Sequence, residues 1–122
     1  MKNKLLQILF WSWFLLIILF SIMPSSQYQP RSDNLFFRLD YLEHFAVFLI
    51  LGGLGAANFT AKMNYLQIAA LLIMALIPEF LQVMVPQRTF NPWDCFFNLL
   101  GFGAGFCLIK FTYINKKRIN ER

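Results

Sequence analysis

Seven polar or ionisable side chains stand within largely apolar stretches of this sequence, and with these groups the chain could do chemistry. They are Asp40, His44, Glu79, Gln82, Arg88, Asp94 and Asn98. Six of them form pairs three or four residues apart, a spacing that places both members on one face of a helix. Charged and amide groups are costly near a bilayer, so each needs a partner or a function there.

The carboxylates and the imidazole permit two kinds of chemistry. Glu79 and His44 could act as general base and acid, because histidine carries a proton near neutral pH. Three carboxylates with one imidazole could also hold a divalent ion, but the usual ligand spacings are absent, so we predict no metal and no other cofactor. A Ser–His–Asp hydrolase is disfavoured, because no Ser or Cys stands in a strained, glycine-flanked turn.

The acidic residues at the starts of two segments also have a structural interpretation. Asp40 could be a helix N-cap, with Glu43 completing a capping box. Asp94 follows Asn91 and Pro92 in the order expected for a cap, a proline in the first turn and an acidic residue near the helix dipole. Both interpretations remain open beside a functional one.

The other members differ in how easily a structural role explains them. Gln82, Asn98 and His44 could form hydrogen bonds between helices, and Arg88 could be a loop charge that contacts lipid headgroups. Glu79 is harder to explain, because it is too deep in its segment to cap a helix. We therefore expect Glu79 to pair with Arg88 or His44.

Composition places these groups in a membrane protein. Of the 122 residues, 58% are hydrophobic, 15 are Phe and only 14% are charged. A soluble domain of this size would need more polar residues to cover its surface. We predict one all-α domain over residues 1–122, and no nucleic-acid partner, because no basic stripe with interleaved aromatics occurs.

Four apolar segments predict a bundle of four transmembrane helices, at about 4–23, 41–60, 65–85 and 93–112. The first segment resembles a signal peptide, but its apolar run is long and Pro24-Ser25-Ser26 is a poor cleavage site, so we interpret it as a retained span. Pro78, inside the third segment, should free the carbonyl of Met74 and kink the helix beside Glu79.

Small residues indicate where two helices pack closely. Gly52 and Gly53 each precede an alanine by four residues, and Gly101 precedes Gly105 by the same interval. Such pairs let a neighbouring backbone approach closely. Cys95 and Cys107 lie twelve residues apart in one predicted helix, too far apart to form a disulfide, and we interpret them as apolar fillers.

The basic residues predict the orientation. Four spans put both termini on one side, and that side holds eight of the eleven Lys and Arg residues. Those eight are Lys2, Lys4, Lys62, Lys110, Lys116, Lys117, Arg118 and Arg122; the other three are Arg31, Arg38 and Arg88. The positive-inside rule then places both termini in the cytoplasm and the polar residues at the outer face.

The order of the polar motifs resembles a known family. Asp40-x3-His44-Phe45, Glu79-x2-Gln82, Pro86-x-Arg88 and Asp94-x3-Asn98-x2-Gly101 occur in succession over about 40–105, and this pattern resembles the VanZ-like family of small bacterial membrane proteins. Tyr41 departs from it, since the family usually has a basic residue after the aspartate. The resemblance implies a protein of the bacterial cytoplasmic membrane and, through the founding members, an association with resistance to teicoplanin-type glycopeptides.

Three functions are compatible with these residues. The first is an envelope factor whose outer pocket binds a lipid headgroup, a lipid-linked cell-wall precursor or a glycopeptide, and so alters antibiotic susceptibility. The second is a membrane-embedded enzyme acting on a lipid-linked group, with Glu79 and His44 as base and acid. The third is a structural subunit in which the polar groups only join helices. The sequence leaves the oligomeric state open.

Overall fold

Four α-helices make up the described part of the chain, and each is long and apolar enough to cross a membrane. The computed structural model describes residues 4–24, 39–59, 63–86, 88 and 90–120, without the side chains of 117, 118 and 120. The helices are α1 (Lys4–Ile22), α2 (Leu39–Asn58), α3 (Tyr65–Gln82) and α4 (Pro92–Asn120). The predicted all-α bundle of four potential transmembrane helices is therefore confirmed, and the chain is a multi-pass membrane protein by helix length and composition.

The helices form a closed ring in the order α1, α2, α4, α3, in which each helix packs against its two neighbours. Large apolar residues face inwards from three or more helices and form the core: Phe10, Ile17, Phe48, Leu51, Leu71, Ala75 and Phe102. Many other large apolar side chains, such as Trp11, Phe20 and Phe111, are exposed on the outside of the ring. An outer surface of this kind suits lipid and not water.

The closest approach in the ring is between α2 and α4, which run parallel. A Cβ added at Gly101 would meet the backbone carbonyl of Phe45, and one added at Gly105 would meet that of Leu49. Gly52 is similarly tight against the backbone of Phe102. Glycine is required where a backbone carbonyl takes the space of a side chain. Of the four glycines predicted to mediate packing, only Gly53 has ordinary van der Waals surroundings.

Three predicted helix ends differ from the structure. The third helix ends at Gln82 and not near 85, because Met84 and Val85 donate to carbonyls three residues back, forming turns ahead of Pro86. The fourth continues to Asn120 and not to about 112, since the polar tail holds no Pro or Gly and its basic residues favour a helix C-terminus. The second begins at Leu39, so Asp40 lies inside the first turn and is not the N-cap.

Pro78 does not end α3, which continues through it for a further turn. Its ring is fully buried at the face that α3 turns towards the bundle. A proline has no N–H for the carbonyl four residues earlier, here that of Met74. The adjacent carbonyl, of Ala75, accepts a hydrogen bond from the Asn98 side chain of α4. A side chain of the neighbouring helix α4 thus donates a hydrogen bond to the backbone next to the proline. Neighbouring helices commonly supply such bonds where a membrane helix contains a proline.

Candidate functional site

Four of the seven predicted side chains converge at one end of the bundle: His44, Glu79, Asp94 and Asn98, hereafter the acid–imidazole cluster. They come from three helices, α2, α3 and α4. Because α2 and α4 are parallel and α3 runs against them, the start of α2, the end of α3 and the start of α4 share one end of the ring. The predicted polar pairs of these three helices therefore lie at the same end of the bundle.

Asn98 is fully buried and connects the members of the cluster. Its Nδ2 lies 3.3 Å from Glu79 Oε1 and 3.4 Å from the carbonyl oxygen of Ala75. Its Oδ1 lies 2.8 Å from His44 Nδ1. Since an amide nitrogen donates and an amide oxygen accepts, two acceptors on the nitrogen side fix the orientation of the amide. Nδ1 of His44 must then carry a proton and donate to Asn98.

His44 lies between the two carboxylates. Its Nδ1 is 3.6 Å from Glu79 Oε1, and its Nε2 is 3.8 Å from Asp94 Oδ2. With Nδ1–H committed to Asn98, Nε2 is the nitrogen that can offer a lone pair. The ring is therefore held so that Nε2 faces Asp94.

Glu79 is the most buried ionisable member of the cluster, and its carboxylate is only partly satisfied. The residue is 1% exposed, and no described residue gives its Oε2 a hydrogen bond. Buried carboxylate oxygens normally have partners, and one without a donor needs an explanation. His44 and Asp94 are more exposed than Glu79, with 23% and 15% of their side-chain surface accessible.

Asp94 combines its structural and site interpretations. Pro92 is the first residue of α4, and Asn91 Oδ1 accepts from the Trp93 N–H at 3.1 Å, as an N-cap should. The Asn91 Nδ2 donates to Asp94 Oδ1 at 2.9 Å, while Oδ2 faces His44. The predicted capping order is confirmed, and the same cap holds the carboxylate towards the imidazole.

The other three predicted residues lie at the edge of the cluster. Asp40 is buried in the first turn of α2, on the same face as His44. Gln82 is partly buried at the end of α3, and within the described ranges no side-chain hydrogen bond joins it to the cluster. The Arg88 Nη2 lies 3.5 Å from the carbonyl oxygen of Phe20, near the end of α1. Of the two pairings expected for Glu79, the one formed is that with His44.

Arg88 therefore has a structural explanation. The last carbonyls of a helix lack partners within it, and a cation there interacts favourably with the helix dipole. Its Nε is buried without a hydrogen-bond partner in the described part of the chain. The contact joins the loop before α4 to α1, which no spacing in the sequence could indicate.

Sequence reasoning missed two contributors to this end of the bundle. The Asn91 side chain was interpreted only as a cap, although its amide also positions Asp94, and its place three residues before an acidic residue was the available signal. The Ala75 carbonyl has no sequence signal except its position three residues before Pro78.

Compared with models of known protein families, with curated proteins and with solved structures, the chain matches none of them.

Proposed function

We propose that this chain is a VanZ-like protein of the bacterial cytoplasmic membrane, whose acid–imidazole cluster opens at the outer face and binds a polar envelope ligand. The ligand is a lipid headgroup, a lipid-linked wall precursor or a glycopeptide, and its capture alters susceptibility to teicoplanin-type antibiotics. The observation that carries the proposal is the buried Glu79 Oε2, which has no donor within the described residues and belongs to a cluster whose other ionisable members, His44 and Asp94, are partly exposed.

The charges of the cluster favour a particular chemical group. Glu79 and Asp94 are two carboxylates that share one imidazole, and the guanidinium of Arg88 bonds to the end of α1. A ligand group that donates hydrogen bonds, such as an amine or a hydroxyl, would satisfy Glu79 Oε2. An ionised phosphate only accepts hydrogen bonds and could not do so. We therefore assign the amine- or hydroxyl-bearing part of the ligand to this site.

Deletion and complementation in the bacterium that carries the gene test the proposal. Loss of the gene should change the teicoplanin susceptibility or the level of lipid-linked wall precursors, and the wild-type gene should restore both. Glu79→Gln should fail to restore them although it is made in normal amounts. Glu43→Gln is the matched control, because Glu43 precedes His44 on α2 but is exposed. Unchanged susceptibility and unchanged precursors after deletion would overturn the proposal.

A membrane-embedded enzyme is the second candidate, favoured by the contact between the buried Glu79 carboxylate and the His44 imidazole. Such a pair can move a proton to and from a hydroxyl or amine of a lipid-linked substrate. Purified wild-type protein incubated with lipid extracts should then produce a change in lipid composition that Glu79→Gln does not. Identical extracts after both incubations would exclude catalysis and leave binding alone.

A further inference from the structure

The acid–imidazole cluster also has the composition of a metal site. One donor atom from each of His44, Glu79 and Asp94 lies within 4.8 Å of the other two. One imidazole nitrogen and two carboxylate oxygens, from three separate helices, therefore lie close together. We propose that these three side chains bind one divalent transition-metal ion, with Zn²⁺ as the best match. The inference does not rest on the proposed function, because metal binding alone tests it.

Binding requires the three donors to close by different amounts. In a tetrahedral zinc site with bonds of about 2.0–2.1 Å, neighbouring ligand atoms lie about 3.3 Å apart. The Nε2 of His44 is 3.8 Å from Asp94 Oδ2 in the present structure, and all three donors lie within 4.8 Å of one another. The donors must therefore approach one another, which side-chain rotation at His44, Glu79 and Asp94 would have to provide. Three protein ligands would leave a fourth position for water or another ligand, as in catalytic zinc sites.

The neighbours of the donors are those that a metal site needs. Metal-bound histidines usually donate their other ring N–H to an oxygen, which fixes the ring and its tautomer. Here Asn98 Oδ1 accepts from Nδ1 at 2.8 Å, so Nε2 is left as the ligand nitrogen. Asn91 Nδ2 donates to Asp94 Oδ1 at 2.9 Å, and this hydrogen bond leaves Oδ2 of the same carboxylate as the ligand atom. Asn98 and Asn91 are thus positioning residues for the two half-buried ligands.

Glu79 Oε2 supplies an independent reason for a cation here. The residue is 1% exposed, and no described residue donates a hydrogen bond to this oxygen. Two carboxylates this close repel each other in a medium of low dielectric constant. A divalent cation bound between them would offset both charges at once. The mixed nitrogen and oxygen donors favour zinc, cobalt or manganese over magnesium, which prefers oxygen ligands.

The test is metal binding by the full chain, purified in detergent with any polyhistidine tag removed. Co²⁺, whose visible absorption reports tetrahedral coordination, is titrated first, and Zn²⁺ is then added to displace it. We expect one Co²⁺ per chain, displaced by Zn²⁺ and not by excess Mg²⁺. Glu79→Gln and Asp94→Asn should each abolish saturable binding, and Glu43→Gln should bind as wild type does. Asn98→Ala, which removes only a positioning residue, should weaken binding by about 10–100-fold.

The paired variants keep the test decisive. Circular dichroism and thermal unfolding of each variant show whether it is folded, and half-buried Asp94 tolerates the change to Asn if Glu79→Gln does not fold. Wild-type protein that takes up no stoichiometric Co²⁺ or Zn²⁺ would overturn the proposal. Folded Glu79→Gln and Asp94→Asn proteins that bind as tightly as wild type would overturn it equally. Neither result bears on susceptibility, so it leaves the proposed function to its own test.

Discussion

At the scale of single residues, Asn98 determines the arrangement of the acid–imidazole cluster. One fully buried amide contacts an imidazole on α2, and a carboxylate and a backbone carbonyl on α3. The two acceptors on its nitrogen side orient it, and this orientation sets the tautomer of His44. A residue with no reactive chemistry of its own therefore decides which nitrogen of the imidazole is available.

We expect Asn98→Leu to destabilise the bundle by about 1–2 kcal/mol. The substitution keeps the number and branching of the side-chain heavy atoms but removes the hydrogen bonds of Asn98 to His44, Glu79 and the Ala75 carbonyl. Hydrogen bonds between membrane helices carry modest free energies. Thermal unfolding in detergent measures the change. Thr112→Val is the control, because its exposed hydroxyl bonds only to its own helix, at the carbonyl of Leu108. Equal unfolding temperatures for both variants would show that Asn98 does not join the helices.

Glu79→Gln should have the opposite effect on stability. It removes a buried charge whose Oε2 has no donor among the described residues, and keeps an oxygen that can accept from Asn98. We expect the free energy of unfolding to stay within about 1 kcal/mol of wild type or to rise, because a buried carboxylate is costly to desolvate and His44 keeps Asp94 as its second acidic neighbour. Denaturant titration in detergent checks it. A marked loss of stability would mean that Glu79 serves chiefly to join helices, the third function that the sequence allows.

At the scale of helices, the glycine contacts of α4 control the distance between the two halves of the cluster. Gly101 lies one turn from Asn98 and has the Phe45 carbonyl where a side chain would stand. Phe45 follows His44 directly. Any separation of α2 from α4 at this level should therefore lengthen the hydrogen bond between His44 and Asn98.

Gly101→Ala should destabilise the protein by about 1–3 kcal/mol, since a backbone carbonyl cannot move aside without displacing α2. Gly103→Ala provides the matched control on the same helix, because an added Cβ there meets nothing within 4 Å. It should be neutral or stabilising, given the better helix propensity of alanine. Thermal unfolding of both proteins measures the difference. Two equally harmful substitutions would indicate loss of flexibility in α4 and not a close approach.

Two helix caps separate stability from site geometry. Asn64 caps α3 in a reciprocal capping box with Gln67, at the end of the bundle remote from the cluster, whereas Asn91 caps α4 and also holds Asp94. Substitution of either by Ala should cost about 1 kcal/mol of stability. Only Asn91→Ala should also weaken Co²⁺ binding in the titration described above. Equal metal affinities in the two variants would show that Asn91 does not position Asp94.

What the sequence predicts at this scale follows from periodicity and length. Hydropathy locates all four helices, because long apolar runs have few other interpretations. The capping box of α3 was not predicted, although Asn64 stands three residues before Gln67. The rotation of each helix about its own axis could not be predicted from the sequence. Asp40 and His44 share a face by spacing alone, but only packing shows that His44 meets Asn98.

At the scale of the whole molecule, charged groups lie at both ends of the bundle. The cluster end carries Asp40, Glu79 and Asp94, together with Arg88 in the loop before α4. At the opposite end Lys110 of α4 donates to the carbonyl of Phe59, just after α2, and lies over the ring of Phe106. The orientation expected from the basic residues stays a prediction, and Lys2, Arg31, Arg38, Lys62 and Arg122 lie outside the described residues. His44 and Asn98 are 54 residues apart in the sequence, and they meet because α2 and α4 are neighbours in the closed ring of helices.

Membrane orientation is the whole-molecule property on which an outward-facing site depends, and reporter fusions test it. Eight of eleven basic residues lie on the side of the termini, so we expect a C-terminal green fluorescent protein to fluoresce and a C-terminal alkaline phosphatase to be inactive, since each works on one side of the membrane only. Truncation after Arg88, with phosphatase attached there, is the control and should be active. An active phosphatase at the C-terminus would place the acid–imidazole cluster in the cytoplasm, where it could not meet an extracellular glycopeptide.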